Sequence, residues 1–224
     1  MRINKTIITE AIIQQGMLPL FYTDSVKVSL EIIGTLYKAG IRVIEYTNRG
    51  VAALENFRLL KDTLAAEAPN LYLGIGTIKS VDQARDFIAA GADFIVAPIV
   101  QPDVAALVSS AGLAWVPGCM TPSEIYRAQE LGASLIKIFP ANILGPAFIS
   151  AVKELFPGQL FMPTGGVSVN KDNLASWFNS GVCAVGMGSK LISTQILEHE
   201  LYDELFSETQ KALALIAEVR SEIK

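Results

Sequence analysis

Short runs of consecutive apolar residues recur along the chain, and each is followed by a stretch whose apolar positions return at helical spacing. The runs are 17–22 (MLPLFY), 42–47 (RVIEYT), 72–77 (YLGIGT), 94–98 (FIVAP), 114–118 (AWVPG), 135–140 (LIKIFP), 160–164 (LFMPT) and 184–189 (AVGMGS). They begin 20 to 30 residues apart, the size of one strand–helix unit. Runs this apolar, without polar alternation, predict strands buried on both faces, as in a parallel sheet. The intervening segments carry helix ends. Thr121-Pro122-Ser123-Glu124 supplies an N-cap, a proline at the first helical position and the glutamate of a capping box, and Ser80 to Gln83 repeats the pattern with glutamine. Gly40, Gly91, Gly112, Gly132 and Gly181 stand where helices should stop. Residues 5–15 and 195–223 predict extra helices at the two ends.

Eight such units, with no linker or low-complexity tract between them, predict an α/β fold. Its expected form is a (β/α)8 TIM barrel, one domain over residues 1–224. The rival is a doubly wound open sheet, whose nucleotide-binding sign is Gly-x-Gly-x-x-Gly after a strand. Gly74-Ile-Gly76-Thr-Ile-Lys79 lacks the third glycine. The count of eight favours the barrel.

Composition narrows the class of function. Hydrophobic residues make up 51% of the 224 and charged residues 18%, which excludes a disordered chain. The net charge of −4, with no basic stripe, argues against nucleic acid and anionic membranes as partners. Residues 104–123 carry no charge and are long enough to span a bilayer. Ser109, Ser110, Gly112, Pro117, Gly118 and Pro122 break that stretch into helix, turn and strand. The apolar stretch at the N-terminus is too short for a signal peptide, and Cys119 and Cys183 are far apart, as suits a reducing compartment. The expectation is a cytoplasmic protein.

In a barrel, polar residues at the C-terminal strand ends are the candidates for chemistry. Lys137 sits inside Leu-Ile-Lys-Ile-Phe, and no other lysine has two apolar neighbours on each side in a strand. A desolvated lysine is a better nucleophile towards a carbonyl, although a lysine there can also pair with a core acid. Glu45 is the same anomaly with the opposite sign: strand parity puts Val43, Glu45 and Thr47 on one face. It can shuttle a proton, form an ion pair with Lys137 or Arg49, or do both. Arg49 lies just past the second run, where a guanidinium suits a carboxylate. Thr77 ends the third run, either as a hydroxyl at the rim or as a helix N-cap. Two glycine-rich loops, Pro163-Thr164-Gly165-Gly166 and Gly186-Met187-Gly188-Ser189, follow the last two runs, where barrels commonly bind phosphate. His199, the only histidine, lies in the C-terminal helical region, so a serine or cysteine nucleophile has no base. Two distant cysteines make no zinc site, and Cys119, though close behind the fifth run, reads as a small neutral residue. No metal and no cofactor are expected.

Ile-Glu-Tyr-Thr-Asn-Arg (44–49), Gly-Ile-Gly-Thr (74–77), Val-Pro-Gly (116–118), Ile-Lys-Ile-Phe-Pro-Ala (136–141), Pro-Thr-Gly-Gly-Val (163–167) and Gly-Ser (188–189) together resemble the 2-keto-3-deoxy-6-phosphogluconate aldolase family. That family includes 4-hydroxy-2-oxoglutarate and 2-keto-3-deoxy-6-phosphogalactonate aldolases, and the resemblance runs collinearly over about residues 5–195. It implies a class I, metal-independent, usually homotrimeric aldolase that releases pyruvate from a small keto-acid. By matching position, Lys137 would be the Schiff-base lysine and Glu45 the general acid/base. Arg49 and Thr77 would hold the substrate carboxylate, and Phe139 would pack beside the imine. Thr164, Gly165, Gly166, Gly188 and Ser189 would bind the rest of the substrate, the glycine loops taking its distal phosphate. The chain departs from the family at Asn48 and Gly50, where Thr-Leu-Arg-Thr is common, and at Asn142 to Pro146; both bear on sugar specificity. The competing readings are a sugar-phosphate isomerase or epimerase, which needs no covalent lysine, and a non-catalytic sensor, which would retain Arg49 and the glycine loops but would have no reason to keep both Lys137 and Glu45.

Overall fold

In the computed structural model residues 5–223 are described; residues 1–4, where the segment read for a leader begins, and residue 224 lie outside them. Every apolar run forms strand. β1 (Met17–Phe21), β2 (Val43–Thr47), β3 (Tyr72–Gly76) and β4 (Phe94–Val96) are followed by a fifth run divided into β5 (Ala114–Val116) and β6 (Gly118–Cys119). β7 (Leu135–Ile138), β8 (Leu160–Pro163) and β9 (Val185–Met187) complete the series. The helices are α1 (Lys5–Gln15), α2 (Val26–Lys38), α3 (Ala53–Glu67), α4 (Val81–Ala89), α5 (Pro102–Ser110), α6 (Pro122–Glu130), α7 (Ala141–Lys153), α8 (Lys171–Asn179), α9 (Thr194–His199) and α10 (Tyr202–Glu222).

All strand pairs are parallel, in two hydrogen-bonded sheets, β5-β4-β3-β2-β1-β9 and β6-β7-β8. This is an α/β fold with a parallel half-barrel, where the pattern of runs predicted one uninterrupted eight-stranded ring. The fifth run is divided at Pro117, which has no N–H to donate: β5 pairs with β4 along one edge, and β6 with β7 along the other. Pro117 still accepts a hydrogen bond from Lys137 N at 2.9 Å. At the other margin a single parallel bridge, Thr164 to Gly186, joins the end of β8 to β9.

Alternate strand residues divide between two cores. Ile44 and Tyr46, Leu73 and Ile75, Ile136 and Ile138 face the helices. Leu18, Val43, Phe94, Val96, Val116, Leu135 and Met162 face inward and pack with Ile8 and Ile12 of α1, so α1 plugs the N-terminal end of an interior shared by both sheets. The membrane-length stretch at 104–123 resolves into α5, β5, β6 and the start of α6, and among the described residues no helix is long and apolar enough to cross a membrane.

The helix ends follow their expected chemistry with two exceptions. Thr121 and Glu124 form the capping box, and Gly40, Gly91, Gly112, Gly132 and Gly181 all take positive φ. Ser80 does cap α4, but Gln83 reaches one residue further back and accepts from Lys79 N. The segment 195–223 is two helices, because Glu200 turns left-handed (φ 52) and ends α9 with its N–H on Ile196 O.

The plug makes a stability prediction. Ile12→Ala removes a fully buried side chain whose surroundings are strands on several sides, so the cavity cannot collapse. Denaturant melts should show a loss of about 2–5 kcal/mol.

Candidate active site

β2 and β7 belong to different sheets, yet their inward residues meet. Lys137 Nζ lies 3.7 Å from Glu45 Oε1, with the two side chains 8% and 1% exposed. The strands could hardly place them elsewhere: parity turns Glu45 to the inside with Val43 and Thr47, and Lys137 with Leu135. Among the described residues neither Glu45 oxygen has a hydrogen-bond partner. Burying a carboxylate on those terms costs several kcal/mol unless a nearby cation offsets it, and Lys137 is that cation.

Space for the carboxylate comes from β3. A Cβ on Gly76 would overlap Glu45 Oε1, and one on Gly74 would overlap the Phe94 ring. The two glycines are therefore required by what lies across from them. On β9, Gly186 similarly makes way for Thr164 Oγ1, which is buried without a hydrogen-bond partner, as is Thr47 Oγ1 beyond Glu45.

Lys137 Nζ lies 5.3 Å from the centroid of Phe139, and Phe139 lines a cavity of about 380 Å3. Arg49, Thr164, Gly165, Gly166, Gly188 and Ser189 line the same cavity. Lys137, Glu45 and Thr77 do not line it; Lys137 stands beside Phe139 and is paired with Glu45. Thr77 has a left-handed backbone (φ 65) and is not a helix cap, since Ser80 fills that place. His199 is exposed on the last turn of α9. Cys119 is buried, and burial, with the Glu124 charge nearby, pushes its thiol up to about 12, far from a reactive thiolate.

Several wall residues were not anticipated, Lys190, Tyr22 and Leu20 among them. Lys190 follows Ser189 directly, and its position beside that loop was the available signal. Among the described residues it makes no ion pair, and those lining the cavity include no Asp or Glu. The wall thus carries two cations, Arg49 and Lys190, and no compensating acid. Tyr22, just past β1, and Leu20 within it also face the cavity, and an apolar strand end gives no sign of such a role. The departures from the family pattern acquire a structural reason as well. A side chain at Gly50 would overlap the Tyr22 hydroxyl, and side chains at Gly165 and Gly166 would crowd Asn142, 2.9 Å from its Oδ1 and 3.0 Å from its Cβ respectively. Gly145 (φ 73), followed by Pro146, kinks α7 just beyond.

A lysine amine that has given up its proton, beside a carboxylate at the edge of a cationic cavity, can attack a carbonyl, and the carboxylate can move a proton within the same bound molecule. Known proteins share this chain's pattern. The family profile "KDPG and KHG aldolase" matches residues 8–207. The chain is 32% identical over 211 residues to the 2-dehydro-3-deoxy-phosphogluconate aldolase of Treponema pallidum, covering 93% of this chain and 97% of that one. It is 29% identical to the 2-dehydro-3-deoxy-6-phosphogalactonate aldolase of Escherichia coli, covering 71% and 76%. In fold it is similar to a KDPG aldolase from Legionella pneumophila solved with pyruvate as a covalent carbinolamine, with a TM-score of 0.83 and 24% identity over 92% of this chain and 97% of that one.

The packing at β3 can be tested directly. Gly76→Ala drives a methyl onto the Glu45 carboxylate, which is hemmed in by other strands. Thermal melts should report a loss of about 1–3 kcal/mol, the usual cost of overpacking. A variant as stable as the parent would mean that Glu45 moves freely and is not held against Lys137.

Proposed function

Because the chain belongs to the KDPG and KHG aldolase family, we propose that it cleaves a 2-keto-3-deoxy-6-phospho sugar acid, of gluconate or galactonate type, or 4-hydroxy-2-oxoglutarate. The products are pyruvate and an aldehyde such as glyceraldehyde 3-phosphate or glyoxylate. The enzyme is an aldehyde-lyase, a class I aldolase. The observation that carries the residue assignment is the buried contact of Lys137 with Glu45 beside Phe139.

In this reading Lys137 Nζ attacks the C2 carbonyl, water is lost, and the protonated imine becomes an electron sink. Glu45, through a water, takes the proton of the C4 hydroxyl. The C3–C4 bond breaks, its electron pair passes into the enamine, and the aldehyde departs. The enamine is then protonated at C3, and water hydrolyses the imine to free pyruvate and Lys137. Arg49 and Thr77 hold the carboxylate, Phe139 packs beside the imine, and Thr164 contacts the substrate between its ends. Gly165, Gly166, Gly188 and Ser189 hold the distal phosphate, with Lys190 adding a cation beside them. The absence of acids among the described residues of the cavity wall supports an anion there. The pyruvate carbinolamine of the Legionella neighbour supports the covalent step. An isomerase or epimerase would need the phosphate loops but would have no use for a buried lysine paired to a carboxylate.

The two sheets are, in the same reading, arcs of one (β/α)8 ring. Support comes from Pro117, through which β5 continues into β6, from the Thr164–Gly186 bridge, and from the interior core drawn from both sheets. Residues 1–224 form one domain of a homotrimer in the cytoplasm. The exposed Val51 and Ile143 support an assembly, and the unpaired Cys119 and Cys183 support a reducing compartment.

Borohydride reduction with pyruvate present should add the mass of a reduced pyruvyl group to Lys137, as read by peptide mass spectrometry. No adduct, or an adduct on another lysine, would remove the Schiff-base assignment. Glu45→Gln separates shuttle from ion-pair partner. It should leave the trapped adduct largely intact while pyruvate deuterium exchange falls by about 10²–10⁴-fold. A variant that melts normally and exchanges at the parent rate would take Glu45 out of the mechanism.

A further inference from the structure

The end of β1 carries a polar device that the scheme above does not use. Tyr22 donates its hydroxyl hydrogen to Asp24 Oδ1, and its ring packs on Tyr46 with centroids 5.5 Å apart. The loop that carries Asp24 is held from beneath. Tyr46 Oη donates to Thr23 O at 2.8 Å, and the buried Asn56 amide donates to Asp24 O at 2.9 Å. Burial and the Asp24 carboxylate push the Tyr22 phenol above its ordinary value, so it stays protonated across the working range. Its hydroxyl lies where any side chain at position 50 would be, and Gly50 is the residue next to Arg49.

The sheet order β2-β1-β9 puts Tyr22 between the Arg49 loop, which follows β2, and the Gly188–Ser189 loop, which follows β9. All three line the one cavity. A ligand with its carboxylate end near Arg49 and an anionic tail at the glycine loops therefore passes the Tyr22 hydroxyl along its middle. With its hydrogen committed to Asp24, the phenol oxygen is left as an acceptor, and the matching ligand group is an alcohol donor.

We propose that Tyr22, oriented by Asp24 and admitted by Gly50, accepts a hydrogen bond from the C5 hydroxyl of a six-carbon phosphorylated sugar acid and thereby selects it over short keto-acids. The inference rests on the aldolase reading and names the part of the substrate that this edge of the site recognises. 4-Hydroxy-2-oxoglutarate has a carboxylate carbon at C5 and cannot supply that donor.

The experiment compares kcat/KM for pyruvate release from the 6-phospho sugar acid, in whichever C4 epimer the parent cleaves faster, and from 4-hydroxy-2-oxoglutarate. Tyr22→Phe should lower the ratio of the two by roughly 10- to 100-fold, the span expected for a hydrogen bond assisted by a charged partner. Gly50→Ala keeps Tyr22 but puts a methyl where its oxygen lies. Gly50 does not use the left-handed region, so alanine fits its backbone. This variant should lower the ratio in the same direction, and the double variant should be no worse than the poorer single one. An unchanged ratio in both single variants overturns the inference and leaves the aldolase reading standing. Release of no pyruvate by the parent from any of these substrates overturns both.

Discussion

A lysine and a glutamate kept together out of water are the constraint to which the rest of this molecule answers. Lys137 and Glu45 come from strands of different sheets, and the burial of each charge is offset by the other. Their 3.7 Å separation is an electrostatic contact rather than a hydrogen bond, and both carboxylate oxygens remain without hydrogen-bond partners. Such a pair holds its geometry only if the strands behind it are rigid. Rigidity comes from the packed interior below, closed at its N-terminal end by Ile8 and Ile12 of α1.

The same constraint explains the glycines. Gly76 and Gly74 leave the inner face of β3 empty so that Glu45 and Phe94 can fill it from their own strands, and Gly186 does this on β9 for Thr164. Glycine in a strand interior weakens the strand by entropy. Here its absent side chain is the room that larger groups occupy. Gly165 and Gly166 serve both ends, since they leave backbone open towards the cavity while Asn142 packs against them.

Charge is distributed in the same economical way. Two unpaired cations, Arg49 and Lys190, line a cavity with no acid on its described wall, although the whole chain carries −4. An acidic protein can thus present a local field suited to a small anionic substrate.

Much of this was legible before any coordinates. Unbroken apolar runs at a regular interval determined parallel strands alternating with helices, because only strands covered on both faces tolerate such sequences. Strand parity placed Glu45 inward, and the apolar neighbours of Lys137 marked it as buried. The capping box at Thr121 and the helix-ending glycines follow from local backbone chemistry, which sequence encodes within a few residues. What depends on approach across space was not legible. The division of the fifth run at Pro117 turns on which neighbour each edge of the strand meets. The cap at Gln83 and the break at Glu200 were settled by one-residue choices that propensity does not resolve. Tyr22 reads as one more apolar strand residue until Gly50, 28 positions later, leaves the space for its hydroxyl, and Lys190 reads as a solvated lysine until the cavity wall is drawn. Periodicity along the chain decides which face a residue takes; only tertiary packing decides what it faces, because those neighbours are distant in sequence and are brought together by the closing of the sheets.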